Sequence, residues 1–275
     1  MPLRPTRPPE LDEVRHALRE VVPRLTALIR TINDRDARAV GSWTAAETAA
    51  HLSHGFKLDR DALVGAPIPD VVVTAAGIAE GTATLLSDDP ERDANRLADR
   101  IESLAHHLDE AVSKADDRPI CWLGETMLPP RVVLCHALEE SLVHGHDIAA
   151  ALGRRWEIKR RHGAVAVEGW VFPLLSAIPP DAFVAQTCDA DLRATVQLRV
   201  RGGGTTFLCL RDRQLRLSGN IDGHVDGVID AEPSALMLTF LRRQGILRQV
   251  ATGKMVAWGR RPWLLPRALA AMSPP

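Results

Sequence analysis

Tyrosine is absent from this chain of 275 residues, lysine is nearly absent, and neither sign of charge is in excess. The 34 basic residues include only four lysines, and they offset 35 acidic residues to leave a formal net charge of −1. Because the arginines are also spread along the chain, there is no concentrated positive surface of the kind that binds nucleic acid or an anionic membrane. We therefore expect neither as a partner. The preference for arginine, together with abundant alanine, is typical of a GC-rich genome.

Cysteine is scarce, and long apolar runs are missing. The four cysteines lie far apart and form no C-x-x-C pair, which predicts reduced thiols rather than disulfides or a redox motif. These cysteines are Cys121, Cys135, Cys188 and Cys209. The most apolar stretch, residues 164–180, is interrupted by a glutamate and three prolines, so it does not offer the ~20 apolar residues of a membrane span. The proline-rich first residues contain no apolar segment typical of a signal peptide, and we expect a cytoplasmic protein.

The composition that is present indicates a folded protein of two domains. Hydrophobic residues make up 45% of the chain and charged residues 25%, and the length exceeds the ~100–150 residues of a typical single domain. In the first half, apolar residues recur at the helical period in four long segments. These segments are residues 11–32, a stretch that begins after Ser42 or Thr44, residues 91–114 and residues 129–152. A weaker helical pattern covers residues 71–86. Four long helices joined by loops predict a helical bundle.

The pattern changes after residues 154–160. Alternating apolar residues predict strands over 194–200, 205–210 and 214–217, with glycines and an aspartate at the hairpin positions between them. Helices are predicted around these strands, and one more strand over 255–258. The expected fold class is therefore α+β with two domains, a four-helix bundle over residues 1–156 and a small α+β domain over residues 157–275.

The most informative segment lies on the fourth predicted helix. Glu140 and His144 are one turn apart on the same face, and His136 and Asp147 lie on the same stripe between apolar flanks. Because burying a carboxylate and an imidazole is costly, a divalent metal is one way to satisfy them. A third ligand has to come from another helix, and His51, which lies among alanines, is the best candidate.

Two histidines and one glutamate form a recognised zinc ligand set that leaves a position for water or substrate. Asp147 is expected to orient a ligand through its second nitrogen, and His136 is an alternative ligand. An exposed Glu–His pair four residues apart would show the same spacing, and this interpretation stays open. Glu139 and His146 are expected on the solvent face of the helix.

Two segments resemble the mycothiol-dependent maleylpyruvate isomerase family, which belongs to the DinB-like bundle superfamily. Residues 43–52 show the pattern W-x-x-x-E-x-x-x-H-L, and residues 140–153 show the more specific pattern E-x-x-x-H-G-x-D-x-A-x-A-L-G. In the C-terminal half, the segment ATGKMVAWG and the helix before it resemble the small sterol-carrier-like domain that follows the bundle in this family. The two strong motifs cover fewer than thirty residues of the chain.

This resemblance implies a divalent metal, typically zinc, bound by His51, Glu140 and His144. It also implies mycothiol as a thiol cosubstrate that adds to a conjugated double bond, after which rotation and elimination give the trans product. In the family, an arginine after a leucine-rich helix holds the carboxylates of the substrate, and Arg243 matches it. The family usually has glycine before that arginine, whereas this chain has Arg242.

The leading hypothesis is a metal-dependent enzyme of the mycothiol type, an isomerase or S-transferase acting on a small molecule, with Arg243 and Asp147 as catalytic residues. A second hypothesis is a protein that binds a lipid or another hydrophobic small molecule in the C-terminal domain. The residues that would line such a pocket, or else form an ordinary core, are Val196, Leu198, Phe207, Leu208, Met237 and Phe240. A third hypothesis is a metal-dependent hydrolase that uses no thiol.

Overall fold

The computed structural model describes residues 5–34, 36–221 and 223–274 as a mixed helical and sheet protein with two compact units. The helical unit comprises Pro9–Val72 and Gly77–Ile158. The sheet unit comprises the described residues up to Pro8, Val73–Ala76 and the described residues from Lys159 onward. Along the chain, the main change from the helical unit to the sheet unit falls between Ile158 and Lys159.

Five helices form most of the first part of the chain. They are α1 (Leu11–Ile29), α2 (Ala45–Leu63), α3 (Ala75–Asp88), α4 (Ala94–Lys114) and α5 (Pro130–Ala151). Helices α1 and α2 each pack against both α4 and α5. Two short antiparallel hairpins, which the sequence pattern did not predict, accompany them. One pairs β1 (Arg38–Val40) with β2 (Trp43–Thr44), and the other pairs β3 (Ile120–Cys121) with β4 (Met127–Leu128).

The start of α2 is fixed by a reciprocal pair of hydrogen bonds. The Thr44 hydroxyl accepts from the Glu47 amide, and the Glu47 carboxylate accepts from the Thr44 amide at 2.7 Å. This arrangement satisfies amide groups that have no partner within the helix. The hydrogen bond from the Thr44 backbone lowers the pKa of Glu47. The segment from residue 43 to residue 51 therefore contains the cap of α2, formed by Thr44 and Glu47.

Helix α5 is buried on nearly every side, which corrects one prediction from its sequence. Glu139, expected on the solvent face, is only 3% exposed, and His146 is half-buried. A helix with neighbours all around it has no solvent face, so its polar residues cannot be sorted by periodicity alone.

The sheet unit begins with a helical segment that changes type along its length. It consists of α6 (Arg160–Ala166), a π-helical stretch (Val167–Val171) and α7 (Phe172–Ala177). A five-stranded sheet follows, with strand order β7-β6-β5-β8-β9. Its strands are β5 (Ala194–Val200), β6 (Thr205–Arg211), β7 (Gln214–Ser218), β8 (Gly227–Ala231) and β9 (Met255–Trp258). Strands β5 and β8 are parallel, and the other neighbours are antiparallel. Three short helices complete the unit, α8 (Pro233–Phe240), α9 (Ile246–Ala251) and α10 (Leu264–Ala270).

The helix-covered face of this sheet encloses a small apolar cavity of about 30 Å³. Leu198, Leu208, Met237 and Phe240 line it, as expected for the pocket hypothesis, but Val196 and Phe207 are not among its lining residues. Because a water molecule needs roughly 10–15 Å³ of such space, the cavity has room for about two waters rather than a lipid. Most of these apolar side chains form an ordinary core. Among the described residues, no helix has the length and apolar character to span a membrane.

Candidate metal centre

Helices α2 and α5 bring the three predicted ligands together. One potential ligand atom from each of His51, Glu140 and His144 lies within 4.8 Å of the others. The Oε2 atom of Glu140 lies 3.0 Å from His51 Nε2 and 3.5 Å from His144 Nε2. Two ligand atoms on one tetrahedral zinc, each bonded at about 2.0–2.1 Å, are separated by about 3.3 Å. The observed spacing therefore fits a metal ion.

Helix geometry brings the two predicted ligands of α5 together, because Glu140 and His144 are four residues apart and project from successive turns. The orientation of the His144 ring is set by Asp147, whose Oδ2 lies 3.1 Å from His144 Nδ1. With Nδ1 engaged by a carboxylate, Nε2 is the nitrogen that faces Glu140. Asp147 is itself buried, at 4% exposure. The structure thus places Asp147 where the sequence predicted it, beside the second nitrogen of His144.

His51 reaches the cluster from the middle of α2. Its ring lies 4.9 Å from that of His144 in an edge-to-face arrangement, and 5.2 Å from the ring of Trp43. Trp43 belongs to β2, immediately before the cap of α2. The structure therefore explains three residues of the motif over 43–52. Trp43 packs on His51, and Glu47 caps the helix.

The electrostatics of the cluster favour the protonation states that a metal requires. Burial lowers the pKa of His51 despite the opposing effect of Glu140, so the neutral ring with an available lone pair is favoured. Burial opposes ionisation of Glu140, but the nearby imidazoles of His144 and His51 outweigh it and lower its pKa overall. Glu140 Oε2 is also buried without a hydrogen bond of good geometry among the described residues. An ionised, unsatisfied oxygen between imidazole nitrogens is a group that a cation would stabilise.

His136 lies beside this cluster and connects it to two residues that the sequence analysis missed. Its Nδ1 lies 2.8 and 2.9 Å from the two carboxylate oxygens of Asp59 on α2. Asp59 also accepts a hydrogen bond of 3.0 Å from the indole of Trp122, which lies between β3 and β4. On its other side, His136 Nε2 lies 3.8 Å from Glu140 Oε1. The structure therefore groups His51, rather than the alternative His136, with the two α5 ligands.

Burial and pairing act on the Asp59–His136 pair in opposite ways. Asp59 is fully buried, and the loss of hydration raises its pKa. Burial also opposes charge on His136, but the carboxylate of Asp59 outweighs it and raises the pKa of His136 to about 9. Both shifts keep a proton on the pair. In the sequence, the only sign that Asp59 is buried is its place among apolar residues near the end of a helix. No feature of the sequence around Trp122 indicates that it contacts Asp59.

Arg243, the predicted substrate-binding residue, lies in the sheet unit directly after α8. Helix α8 ends in a motif in which the Arg243 amide donates to the Leu238 carbonyl and the Arg242 amide to the Thr239 carbonyl. This motif places Arg242 at φ 58°, in the left-handed region that favours glycine. Arg242, which stands where the family that this chain resembles usually has glycine, thus occupies a position where glycine has a conformational advantage.

The two arginines have different contacts. The Arg242 guanidinium donates to the carbonyls of Ala270 and Met272, at the end of α10. Arg243 Nη1 donates to the Leu241 carbonyl at 2.8 Å. Both guanidinium groups therefore bind backbone carbonyls, and that of Arg242 ties the end of α8 to the end of α10.

Comparison with known proteins gives distant structural likenesses. No protein-family model and no curated protein matches the chain. A crystal structure of the mycothiol-dependent maleylpyruvate isomerase is similar over 84% of this chain and 88% of that one, with 12% sequence identity and a TM-score of 0.49. A UbiJ-SCP2 ubiquinone synthesis protein is similar over 30% of this chain and 67% of that one, with 20% identity and a TM-score of 0.26. A stereoselective inverting sec-alkylsulfatase from Pseudomonas sp. is similar over 75% of this chain and 33% of that one, with 14% identity and a TM-score of 0.33.

Proposed function

We propose that the protein is a metal-dependent enzyme that uses mycothiol as a thiol cosubstrate and acts on a small molecule. The reaction is either a cis–trans isomerisation like that of maleylpyruvate isomerase or the transfer of the thiol to its substrate. The observation that carries the metal site is the convergence of His51, Glu140 and His144, with ligand atoms within 4.8 Å of one another. The thiol chemistry is proposed from the resemblance of residues 43–52 and 140–153 to the mycothiol-dependent isomerase family.

Zinc is the metal that this donor set suits best, because two imidazoles and one carboxylate leave a coordination position for an exchangeable ligand. A bound zinc ion would lower the pKa of a thiol and so provide a nucleophile at neutral pH. His51 and His144 would bind the metal through Nε2, and Glu140 would supply the negative charge through Oε2. Asp147 would hold the His144 ring in the required tautomer.

We assign Arg243 to the carboxylates of the substrate, because a guanidinium can bind a carboxylate through two parallel hydrogen bonds. The α1, α2, α4 and α5 packing is proposed to be a DinB-like four-helix bundle, and the sheet unit a sterol-carrier-like domain. We also propose a cytoplasmic location, where the cysteines stay reduced.

Metal analysis of the purified protein tests the site. We expect about one zinc per chain in the wild type, and a loss of most of it in His51→Ala and in His144→Ala. His106→Ala is a matched control, because His106 is exposed on α4 and pairs with Glu110 away from the cluster. Full retention of zinc by both site variants would show that the assignment is wrong.

Thiol dependence tests the reaction. The metal-loaded protein is incubated with cis-configured conjugated dicarboxylates and electrophiles, with and without mycothiol. Product that forms only with mycothiol supports the isomerase or transferase. Turnover that is indifferent to mycothiol would instead support the metal-dependent hydrolase and would leave the metal site intact.

A further inference from the structure

The two oxygens of Glu140 face different groups. Oε2 lies next to His51 and His144, whereas Oε1 faces His136 Nε2 at 3.8 Å, within ion-pair distance. Metal-binding carboxylates bind through one oxygen or through both, and the groups that contact a ligand from behind set its orientation. His136 is the group in that position here.

His136 is held by contacts on its other edge. Its Nδ1 lies 2.8 Å from Asp59 Oδ1, and its ring meets that of Trp122 edge-to-face at 5.1 Å. Trp122 in turn donates its indole hydrogen to the same oxygen of Asp59. All three side chains are buried, at 8%, 0% and 3% exposure for His136, Asp59 and Trp122. Each ring nitrogen of His136 therefore faces a carboxylate oxygen, Nδ1 at hydrogen-bond distance from Asp59 and Nε2 at ion-pair distance from Glu140.

We propose that Trp122, Asp59 and His136 form a buried relay that positions Glu140, so that Glu140 presents Oε2 alone to the metal. The relay rests on the proposed metal site. The relay parallels the contact between Asp147 and His144. Asp147 contacts His144 directly, whereas Asp59 reaches Glu140 through His136. Asp59 and Trp122 act through His136, and His136 acts through Glu140, so all three are positioning residues rather than catalytic ones.

The two amide replacements of His136 separate positioning from a general structural role. In His136→Gln, the amide nitrogen occupies the place of Nε2 and keeps a donor toward Glu140. In His136→Asn, the amide nitrogen occupies the place of Nδ1 and keeps only the contact with Asp59. Asp61→Asn is a matched control, because Asp61 is a second buried acid on α2 but pairs with Lys57 and Arg60.

The experiment titrates zinc-free protein with Co²⁺ and records its visible absorption, which weakens when coordination rises from four to five. We expect His136→Asn to bind Co²⁺ about 10–100-fold more weakly than wild type and to show weaker bands. His136→Gln and Asp61→Asn should stay close to wild type in both measures. Trp122→Phe removes one hydrogen bond from Asp59 and should give a smaller change in the same direction as His136→Asn.

The outcomes separate the relay from the metal site itself. If wild type binds no Co²⁺ or Zn²⁺, the proposed function fails. If wild type binds the metal and His136→Asn matches it in affinity and spectrum, the relay is wrong and the metal site stands. If His136→Asn does not fold, as judged by circular dichroism, Trp122→Phe decides, and a wild-type spectrum and affinity in that variant would overturn the relay.

Discussion

At the scale of single residues, Gly145 shows how a position between two polar side chains is constrained by packing. It lies on α5 between His144 and His146, and the indole of Trp156 rests on it. A methyl group at Gly145 would lie 2.5 Å from two carbons of that indole, much closer than real contacts allow. The glycine of the H-G-x-D motif therefore has a steric reason, which the sequence alone does not reveal.

Gly145→Ala is expected to destabilise the protein. Forcing the indole away costs roughly 1–3 kcal/mol, and the better helix propensity of alanine returns at most about 1 kcal/mol. We expect a net loss of about 1 kcal/mol in the free energy of unfolding, measured by urea denaturation. Gly55→Ala on α2 is the control, because its methyl group would meet Glu140 Oε2 at an ordinary 3.6 Å. Equal or greater stability of Gly145→Ala would contradict the packing argument.

At the scale of elements, Asp89 ties α2 to α4 from the segment that follows α3. Its Oδ2 lies 2.9 Å from His54 Nε2 and also accepts a hydrogen bond from Arg100, while Oδ1 accepts from the Glu91 amide. Partial burial opposes ionisation of Asp89, but these hydrogen bonds outweigh it and lower its pKa to about 2. The sequence placed a helix start near here, and the structure has α4 begin at Ala94 with Asp93 as its cap.

This pairing predicts a pH dependence. The pKa of Asp89 is lower in the folded than in the unfolded chain, so its stabilisation is complete above the unfolded value of 3.8 and is lost as the pH falls toward 2. Asp89→Asn should cost about 1–2 kcal/mol in the free energy of unfolding at pH 7, after allowance for partial exposure. That difference from wild type should shrink between about pH 4 and pH 2. Asp88→Asn is the control, because Asp88 is exposed and its replacement should leave the free energy of unfolding close to that of wild type. A cost of Asp89→Asn that does not change with pH would refute the ionic explanation.

At the scale of the whole molecule, a metal bound to the folded state alone stabilises the protein. Because His51 and Glu140 belong to different helices, a metal between them would cross-link α2 and α5. The unfolded chain does not hold these ligands together, so metal binding and folding are coupled.

With a metal bound at the proposed site, its removal is therefore expected to lower the melting temperature. A metal at 100 times its Kd contributes about 2.7 kcal/mol, which is a shift of roughly 5–10 °C for a chain of this size. Thermal denaturation with and without a chelator measures the shift, and added Zn²⁺ should reverse it. His144→Ala should melt at the same temperature with and without the chelator, and an equal chelator effect in that variant would place the metal elsewhere.

Features that depend on near neighbours in the chain could be predicted from the sequence. The helical period put Glu140, His144 and Asp147 on one stripe, and alternation indicated β5 to β7. The near-zero net charge and the lack of long apolar runs led us to expect neither nucleic acid nor a membrane as a partner. Features that depend on distant residues came from the tertiary structure. It placed His51 beside Glu140, brought Asp59 and Trp122 to His136, buried Glu139, and put Arg242 in a left-handed turn. Local spacing fixes the direction in which a side chain leaves its helix, but what it meets there is set by packing between segments that lie tens of residues apart.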